Sequence, residues 1–402
     1  MSLTRSLNRQ SSPVPPLQLN GLMNFREENA WTDSVFAVIH RKQNMKNFIA
    51  VLIIVGLLAG NGYAYGGRGH RLVGAIADRR LATPENDVVN KKLKKLLDGM
   101  TLEEVATLPD NIKDWDPKKD DPYNPQLPRE PFKVKGHPQI EAQLRAFVNA
   151  NPAAGKPSHH EFHYTDVSVF ANEKYGDGQV GRSEFDIVHM IPFCIRVLQG
   201  KVPEKNKRAI TKTVAVILLA HYLGDIHQPL HVGAEYFNAA GKAFQPTAGN
   251  PGFGDQGGNK LTLSLFVKGK LTPFKFGQDR LGNLHGYWDS QTVTDAFGPG
   301  ADNQLADELA NKEPANWKIH SPLENWAELL ANEIMPLARE AHARLEFKNI
   351  KTDTGSSDIT GGDAVEKKKS GVPYEKWASD TAKTEIQKAG WRLAALLQEA
   401  LK

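Results

Sequence analysis

Residues 220–232 have the sequence AHYLGDIHQPLHV and follow an apolar stretch, residues 209–219, which predicts a buried helix. Residues four positions apart in a helix share one face, so the imidazole of His221 and the carboxylate of Asp225 converge. The proline two positions before His231 lacks an N–H group and disfavours a helical residue before it, so the helix is expected to end there. The chain then turns and presents His231. This arrangement predicts a metal-binding helix at the centre of the fold.

A second pair of the same kind lies downstream, where His285 and Asp289 are also four positions apart. A single His-x-x-x-Asp pair on a helix is most often a hydrogen-bonded pair at the surface. Two such pairs favour metal ligation, because one of them lies in a strongly apolar helix where an unpaired charge would be costly. Together with His231, they predict more than one metal ion.

The composition is that of a folded protein. The chain has 402 residues, 40% hydrophobic and 24% charged, which is enough for one large domain or two ordinary ones. Cys194 is the only cysteine, so the chain cannot form an internal disulfide. Metal ions could take over part of the stabilising role of disulfides.

The first 64 residues are predicted to lie outside the folded domain. Residues 45–64 have a basic start, a short apolar run and a small-residue cleavage site ending at Ala64, which is typical of a signal peptide. The run is too short to span a membrane, which takes about 20 residues, so we expect no stable membrane anchor. Residues 1–44 are interpreted either as an upstream extension from a misplaced start codon or as a long first region of the signal peptide. Export predicts a periplasmic or extracellular protein.

Cleavage after Ala64 would also change the charge of the protein. The removed segment carries six Lys or Arg and three acidic residues, so the net charge would fall from +4 to about +1. A nearly neutral protein has no general positive field for nucleic acid. Any affinity for phosphate must therefore come from a local site.

Helices are predicted to dominate the remaining chain. Capping signals and apolar periodicity predict helices that begin near His70 and Thr101 and helices over residues 138–149, 186–200, 203–221, 323–345 and 374–401. Residues 261–265 alternate apolar and polar side chains and predict one strand of a short hairpin that turns at Gly269. We therefore expect one all-α domain over residues 65–402.

Long loops are expected between several of these elements. Residues 116–158, apart from the helix within them, are rich in Pro, Lys and Asp, and residues 233–258 are rich in Gly and Ala without helical periodicity. Residues 348–370 are polar and rich in Gly, Asp and Lys, and they predict a mobile surface insertion.

Three further residues are candidate metal ligands. Taken alone, His70 would be explained as a histidine that caps the core. Asp110, taken alone, would be explained as a surface ion-pair partner of Lys113. Residues 159–166 contain three histidines, and His163 is the candidate ligand among them. Only alternate residues of an extended segment share a face, so the three histidines are not all expected to bind one metal ion. All the candidates are nitrogen or oxygen donors without a thiolate, which favours hydrolytic over structural zinc.

In chain order, these residues resemble the zinc-dependent, single-strand-preferring nucleases and 3′-nucleotidases of the S-one/P-one type. The matching elements are an aromatic-Gly-x-x-Gly-His start at residues 65–70, Asp-x-x-basic at 110–113, His-aromatic-x-Asp at 163–166, His-x-x-x-Asp-x5-His at 221–231 and Asn-Leu-His-x-x-Trp-Asp at 283–289. The resemblance covers residues 65 to about 397. It implies a single compact, mainly helical domain of the phospholipase C / nuclease P-one type, with a short β-hairpin and long loops.

The resemblance also implies three Zn²⁺ ions. The first would be held by Asp110, His163, His221 and Asp225, the second by His231, His285 and Asp289, and the third by the backbone of Tyr65 with His70 and Asp225. Tyr65 stands where the family usually has Trp, which is a mild change because the backbone would be the ligand. Lys113 stands where Arg is common, which replaces a planar fork by a point charge. The eukaryotic members' disulfides cannot form here, which indicates a bacterial-type member.

The activity implied is hydrolysis of single-stranded DNA and RNA to 5′-nucleotides, together with hydrolysis of 3′-nucleotides, by a monomer. The catalytic residues would be Asp225, which bridges two of the metals, Asp110, and Lys113, which would offset charge on the phosphoryl oxygens. Tyr164 would stack on a base and Asp166 would accept a hydrogen bond from a base edge, so these two and Lys113 form the expected substrate site.

Two alternatives remain at the level of sequence. A zinc phospholipase C, acting on phospholipid head groups, resembles the same family in fold and metal site, but generally has Glu where this chain has Asp289. An exported zinc-binding protein without turnover would be expected to lack the residues that serve the substrate, and both Tyr164 and Lys113 are present.

Overall fold

The computed structural model describes residues 65–113, 115, 132–368 and 371–402. The expected upstream extension and the expected signal peptide lie outside the described residues. Within them, no helix combines the length and the apolar character needed to cross a membrane.

Helices form most of the regular structure and confirm the predicted fold class. Their bounds are α1 Gly66–Leu81, α2 Asp87–Leu96, α3 Leu102–Val105, α4 Leu108–Asn111, α5 Pro138–Ala150, α6 Ile187–Leu198, α7 Lys212–Asp225, α8 Leu284–Gly286, α9 Thr292–Phe297, α10 Asp302–Asn311, α11 Trp326–Ala343 and α12 Tyr374–Ala400. The predicted capping box of α3 is present, since Thr101 and Glu104 exchange side-chain to backbone hydrogen bonds. Asp186 caps α6 as expected, by accepting from the backbone N–H of His189.

Helix α7 is the central helix, and every residue from Thr213 to Asp225 is buried. It packs against α1, α5, α6 and α12, so its apolar side chains face neighbours in all directions. The helix begins later than the predicted start at residue 203. The Asn206 side chain donates to the carbonyl oxygens of Pro203 and Ile210, which closes a turn, and Thr211 then caps α7 by accepting from Val214.

Short strands lie at one side of the helical core. Their bounds are β1 Val167–Ser168, β2 Gly233–Ala234, β3 Tyr236–Phe237, β4 Phe253–Gly254, β5 Leu261–Val267, β6 Lys270–Pro273, β7 Lys275–Phe276, β8 Arg280–Leu281, β9 Leu345–Lys351 and β10 Gly361–Glu366. The predicted hairpin is present as β5 and β6, which pair antiparallel. The stretch 233–258, expected as a loop, carries β2, β3 and β4.

The largest sheet has the strand order β6-β5-β10-β9. Strands β9 and β10 come from the stretch 348–370 and its N-terminal flank. The expectation that this stretch is a loop without strands was therefore wrong. Strand β10 pairs in parallel with β5 and antiparallel with β9, and Ala364 is buried between Leu263 and Phe347. The sequence pattern missed β10 because its one buried residue is Ala364, and Gly and Ala have a low strand propensity.

Candidate metal centre

Helix α7 places His221 and Asp225 on one face, as the sequence predicts. Both are completely buried, and Nε2 of His221 lies 3.2 Å from a carboxylate oxygen of Asp225. The other ring nitrogen, Nδ1, lies 2.7 Å from the carbonyl oxygen of Ala106. This contact accounts for a proton on Nδ1, so Nε2, which faces the carboxylates, is the nitrogen that would bind a metal once it has lost its own proton.

Asp110 and His163 join His221 in one group of potential ligands. Nε2 of His221 lies 3.4 Å from Oδ1 of Asp110 and 3.0 Å from Nδ1 of His163. Nδ1 of His163 lies 2.9 Å from Oδ2 of Asp225. One ligand atom from each of Asp110, His163 and His221 lies within 4.8 Å of the others, close enough to surround one ion.

His70 forms a second group with His221 and Asp225. Its ring stacks on that of His221 with a centroid distance of 3.8 Å, and its Nε2 lies 3.4 Å from Oδ1 of Asp225. This close approach requires a glycine in α7, because a Cβ added at Gly224 would lie 2.7 Å from Nδ1 of His70. His70 is therefore part of the buried cluster and not a capping residue of the core.

The third group consists of His231, His285 and Asp289. The ring of His231 is oriented by the carbonyl oxygen of His163 at 2.8 Å, and that of His285 by the carbonyl oxygen of Gly257 at 2.9 Å. Nε2 of His285 lies 3.4 Å from Oδ2 of Asp289. Asp289 lies in a π-helical turn that follows α8, a rare geometry that is frequent at functional sites.

Several buried polar atoms of these groups lack a hydrogen-bond partner among the described residues. They are both ring nitrogens of His70, Oδ1 of Asp225, Nε2 of His231 and Oδ2 of Asp289. Buried polar atoms without partners are costly and rare in proteins. Their concentration at three points where imidazole and carboxylate groups meet is what a set of bound cations would explain, so the residues fit metal ions.

The electrostatics of the groups agree with this fit. Burial lowers the pKa of His231 to about 4 and that of His285 to about 3. Burial, aided by the charge of Asp110, raises the pKa of Asp289 well above its ordinary value. For His221, burial lowers the pKa, but Asp225 and Asp110 outweigh it and raise the pKa to about 10. Metal cations would favour the anionic carboxylates and neutral imidazoles that act as ligands.

The expected substrate residues lie at the mouth of the cluster. A cleft of about 240 Å³ is lined by Lys113, Tyr164 and Asp166 together with the candidate ligands His231 and His285. Nζ of Lys113 lies 3.0 Å from Oδ1 of Asp110, and burial, which lowers its pKa, is outweighed by Asp110 and Asp225, which raise it. The ammonium group of Lys113 therefore stays charged beside the candidate metal ligands. Tyr164 is 37% exposed, so part of it is accessible from the cleft that it lines.

Tyr65 lies at the start of α1 and is completely buried. Its phenolic hydroxyl donates a hydrogen bond of 2.7 Å to the carbonyl oxygen of His227. A Cβ added at Gly66 would lie 2.6 Å from the carbonyl oxygen of Asp289, so the backbone here lies against the third group. The assignment of the Tyr65 backbone as a ligand stays a prediction.

Sequence reasoning missed the residues that orient the ligands. Gln228 is buried and donates a 2.9 Å hydrogen bond to Oδ1 of Asp289, and the carbonyl oxygens of Ala106 and Gly257 orient His221 and His285. Backbone carbonyls carry no side-chain signal, so a sequence pattern could not have found them. Gln228 has one signal, because it lies between Asp225 and His231, two of the candidate ligands.

Three other histidines near the site were expected to be surface residues or to support the ligands. His159 and His227 are buried, which excludes the surface interpretation, and neither belongs to a group that could hold a metal among the described residues. His160 lines the cleft, and its Nε2 lies 2.6 Å from the carbonyl oxygen of Lys113. His160 therefore positions the backbone of Lys113, whose side chain carries the ammonium group.

The mainly helical fold buries overlapping His/Asp groups beneath a cleft that Lys113 lines, an arrangement typical of metal-dependent hydrolases. The S1/P1 Nuclease family model matches residues 65–402, and the chain belongs to this family. The match confirms the resemblance inferred from the ligand order.

Two plant proteins are similar to parts of the chain. Endonuclease 1 of Arabidopsis thaliana is 29% identical over 125 residues, which are 31% of this chain and 31% of that protein. Endonuclease 4 of Arabidopsis thaliana is 32% identical over 85 residues, which are 21% of this chain and 18% of that protein. The matched segments thus span less than one third of either relative.

Proposed function

We propose that the chain is an exported, zinc-dependent phosphodiesterase with three Zn²⁺ ions. It hydrolyses single-stranded DNA and RNA to 5′-nucleotides and also acts on 3′-nucleotides. Membership of the S1/P1 nuclease family supports this proposal, and the two plant relatives are named as endonucleases. We further propose that the protein acts as a monomer in the periplasm or outside the cell.

One observation carries the proposal above all others. Three groups of potential ligands converge on the face of α7 that carries His221 and Asp225, and two of the groups share His221. In our assignment, Asp225 would also help to hold two ions, since its Oδ1 faces His70 and its Oδ2 faces His163. Several metals close to one phosphate can stabilise both the attacking and the leaving oxygen of an in-line displacement.

The donor set suits zinc, because imidazole and carboxylate ligands without thiolates are those of hydrolytic sites. Zinc supplies Lewis-acid polarisation of a phosphoryl oxygen and makes a water acidic enough to attack at neutral pH. The side chains of the protein supply the charge and the positioning. Lys113 places an ammonium group where negative charge develops on the phosphoryl oxygens, and Asp110, 3.0 Å away, holds that group in position.

The cleft also supports the proposed preference for single strands. Tyr164 offers an aromatic face for any base, a contact that contributes about 1–3 kcal/mol per base. Asp166 lines the same cleft and can meet a base edge. Base edges and faces are hidden in a duplex, so a paired strand cannot use these two contacts.

The test uses the mature protein, residues 65–402, produced with a free Tyr65 amine. We expect zinc near three equivalents and hydrolysis of single-stranded DNA and RNA well above that of duplex DNA or phosphatidylcholine. Lys113→Met should lower kcat strongly while keeping the zinc, whereas Lys135→Met, at an exposed position on the surface, should change neither quantity. Preferred hydrolysis of phosphatidylcholine would identify a phospholipase instead, and a zinc-loaded protein without any hydrolysis would indicate a binding protein.

A further inference from the structure

The connection between β9 and β10, residues 352–360, reaches the wall of the cleft. It lies along β4, where the backbone N–H of Gly254 donates to Ser357 and the backbone N–H of Ile359 donates to Gly254. These bonds place Asp358 beside Gln256, and Nε2 of Gln256 donates a 2.7 Å hydrogen bond to Oδ2 of Asp358. A segment expected to be a surface insertion therefore supports a residue of the cleft.

This hydrogen bond determines which way the amide of Gln256 faces. A carboxylate only accepts hydrogen bonds, so the NH₂ group of Gln256 must face Asp358. The amide oxygen Oε1 makes no hydrogen bond to any described residue, and Gln256 lines the cleft. With its NH₂ group held by Asp358, Gln256 can offer the acceptor Oε1 to a group that enters the cleft.

Asn259 adds a second acceptor to the same wall. Its Nδ2 donates to the carbonyl oxygen of Gln256 at 3.0 Å, and its Oδ1 is an acceptor without a hydrogen bond to a described residue. Gln256 itself has a positive φ of 54°, a conformation that the two hydrogen bonds from Asn259 to its carbonyl oxygen stabilise. The wall is thus held in one arrangement before a ligand binds.

Nucleobases differ in what they offer to a wall of acceptors. Adenine, cytosine and guanine carry an exocyclic amino group, which donates hydrogen bonds, whereas uracil and thymine carry carbonyl oxygens and one ring N–H. A carbonyl oxygen placed against Oε1 of Gln256 or Oδ1 of Asn259 would meet a second acceptor and lose its bonds to water.

We propose that this cleft selects nucleotides whose base carries an amino group, and that Asp358 sets the selection by holding the amide of Gln256 with its oxygen toward the base. The proposal rests on the proposed function, because it concerns the base of the nucleotide that is hydrolysed. Asp358 acts through Gln256 and is a positioning residue, while Gln256 contacts the base directly.

The experiment measures kcat and KM for the four ribonucleoside 3′-monophosphates. We expect kcat/KM for the adenine, cytosine and guanine substrates to exceed that for the uracil substrate by about three- to tenfold, the effect of one hydrogen bond. Gln256→Ala should remove most of this ratio. Asp358→Asn should also reduce it, because an amide at position 358 can accept or donate and lets Gln256 turn its own NH₂ group toward the base. Both changes should act through KM and leave kcat near the wild-type value.

Asp353→Asn is the matched control, because it makes the same substitution in the same connection. Its Oδ1 accepts only from the backbone N–H of Gly355, at 3.0 Å, so the base ratio should not change. A wild-type protein that treats all four bases alike would overturn the proposal, as would an equal loss of the ratio in Asp353→Asn and Asp358→Asn.

Calorimetric binding of the four 5′-mononucleotides separates this proposal from the proposed function. Base-selective binding that depends on Asp358, without hydrolysis of any substrate, would support the selection and reject the nuclease activity. Hydrolysis without base-selective kinetics or binding would reject the selection and leave the nuclease activity in place.

Discussion

The phenolic hydroxyl of Tyr65 donates a 2.7 Å hydrogen bond to the carbonyl oxygen of His227, two residues beyond the end of α7. The imidazole of His227 is held in turn, since Nδ1 lies 2.6 Å from the carbonyl oxygen of Leu223 and Nε2 lies 2.9 Å from Nη1 of Arg392. Burial and the Arg392 charge hold the pKa of His227 well below its ordinary value, so the ring is neutral and accepts from the guanidinium. The start of α1 is thereby tied to both α7 and α12.

Removing this hydroxyl should loosen the start of α1. Tyr65→Phe leaves the buried carbonyl oxygen of His227 without its donor, so we expect a loss of about 1–2 kcal/mol in the free energy of unfolding, measured in urea. If Tyr65 is a ligand, the zinc content should also fall, by at most one equivalent. Tyr175→Phe is the control, because the Tyr175 hydroxyl donates to Asp186, which is not a candidate ligand. Its loss should lower the stability and leave the zinc content unchanged. Full zinc retention by Tyr65→Phe would argue against anchoring by the hydroxyl.

Metal content should depend on where the chain begins. A free α-amine has a pKa near 8 and becomes a ligand once a metal competes with the proton, whereas a peptide nitrogen has its lone pair delocalised. One alanine added before Tyr65 should therefore lower zinc from three equivalents to two and abolish most hydrolysis. Elemental analysis and a single-stranded DNA assay check this. An extended protein with full zinc and full activity would show that the N-terminus of Tyr65 is not a ligand.

Substitution by Asn should have different effects at Asp225 and at Asp166. Asp225→Asn replaces a buried carboxylate that faces His70, His163 and His221, so it should abolish hydrolysis and deplete zinc. Asp166→Asn should keep the zinc and change mainly KM or base preference. Zinc analysis with steady-state kinetics distinguishes the two, and equal loss of metal in both variants would reject the roles assigned here.

Gly224 should resist the substitution that usually stabilises a helix. Gly→Ala in a helix interior normally gains up to about 1 kcal/mol. At position 224 the added Cβ would lie 2.7 Å from Nδ1 of His70, so the ring must move off His221. We expect Gly224→Ala to lower both stability and zinc content. Ala215→Gly, in the same helix, should cost stability alone, and a stabilised Gly224→Ala protein with full zinc would show that His70 can shift freely.

The buried pair of His342 and Asp255 should make stability depend on pH. Nε2 of His342 lies 3.0 Å from Oδ2 of Asp255, with Glu235 also near. Burial lowers the pKa of His342, but Asp255 and Glu235 outweigh it and raise the pKa above 6.5. The pair therefore contributes fully below pH 6.5, and its contribution is lost as the pH rises through the folded-state pKa.

His342→Gln should accordingly lose the most stability, about 3–5 kcal/mol, at the acidic end of the range. The measurement compares denaturation of the wild type and the variant between pH 6 and pH 9.5, as a difference at each pH. The difference should shrink toward alkaline pH. A difference that stays constant or grows with pH would show that His342 is not protonated in the folded protein.

The sequence by itself determined the helical class and the identity of the candidate ligands. The apolar run before His221 could only be buried, and the period of a helix brings His221 and Asp225 together without help from the rest of the chain. The capping box of α3 and the β5–β6 hairpin are likewise local signals. They were readable because each depends on residues within a few positions of one another.

The tertiary structure alone decided how those residues meet and what holds them. The stacking of His70 on His221 depends on the missing side chain of Gly224, and Gln228 reaches Asp289 across 61 positions of sequence. Strand β10 lies between β5 and β9, and the connection between β9 and β10 then brings Asp358 to Gln256. Such contacts join segments that are distant in the chain, and their free energy comes from packing and from pairing buried polar groups, which no local pattern of residues encodes.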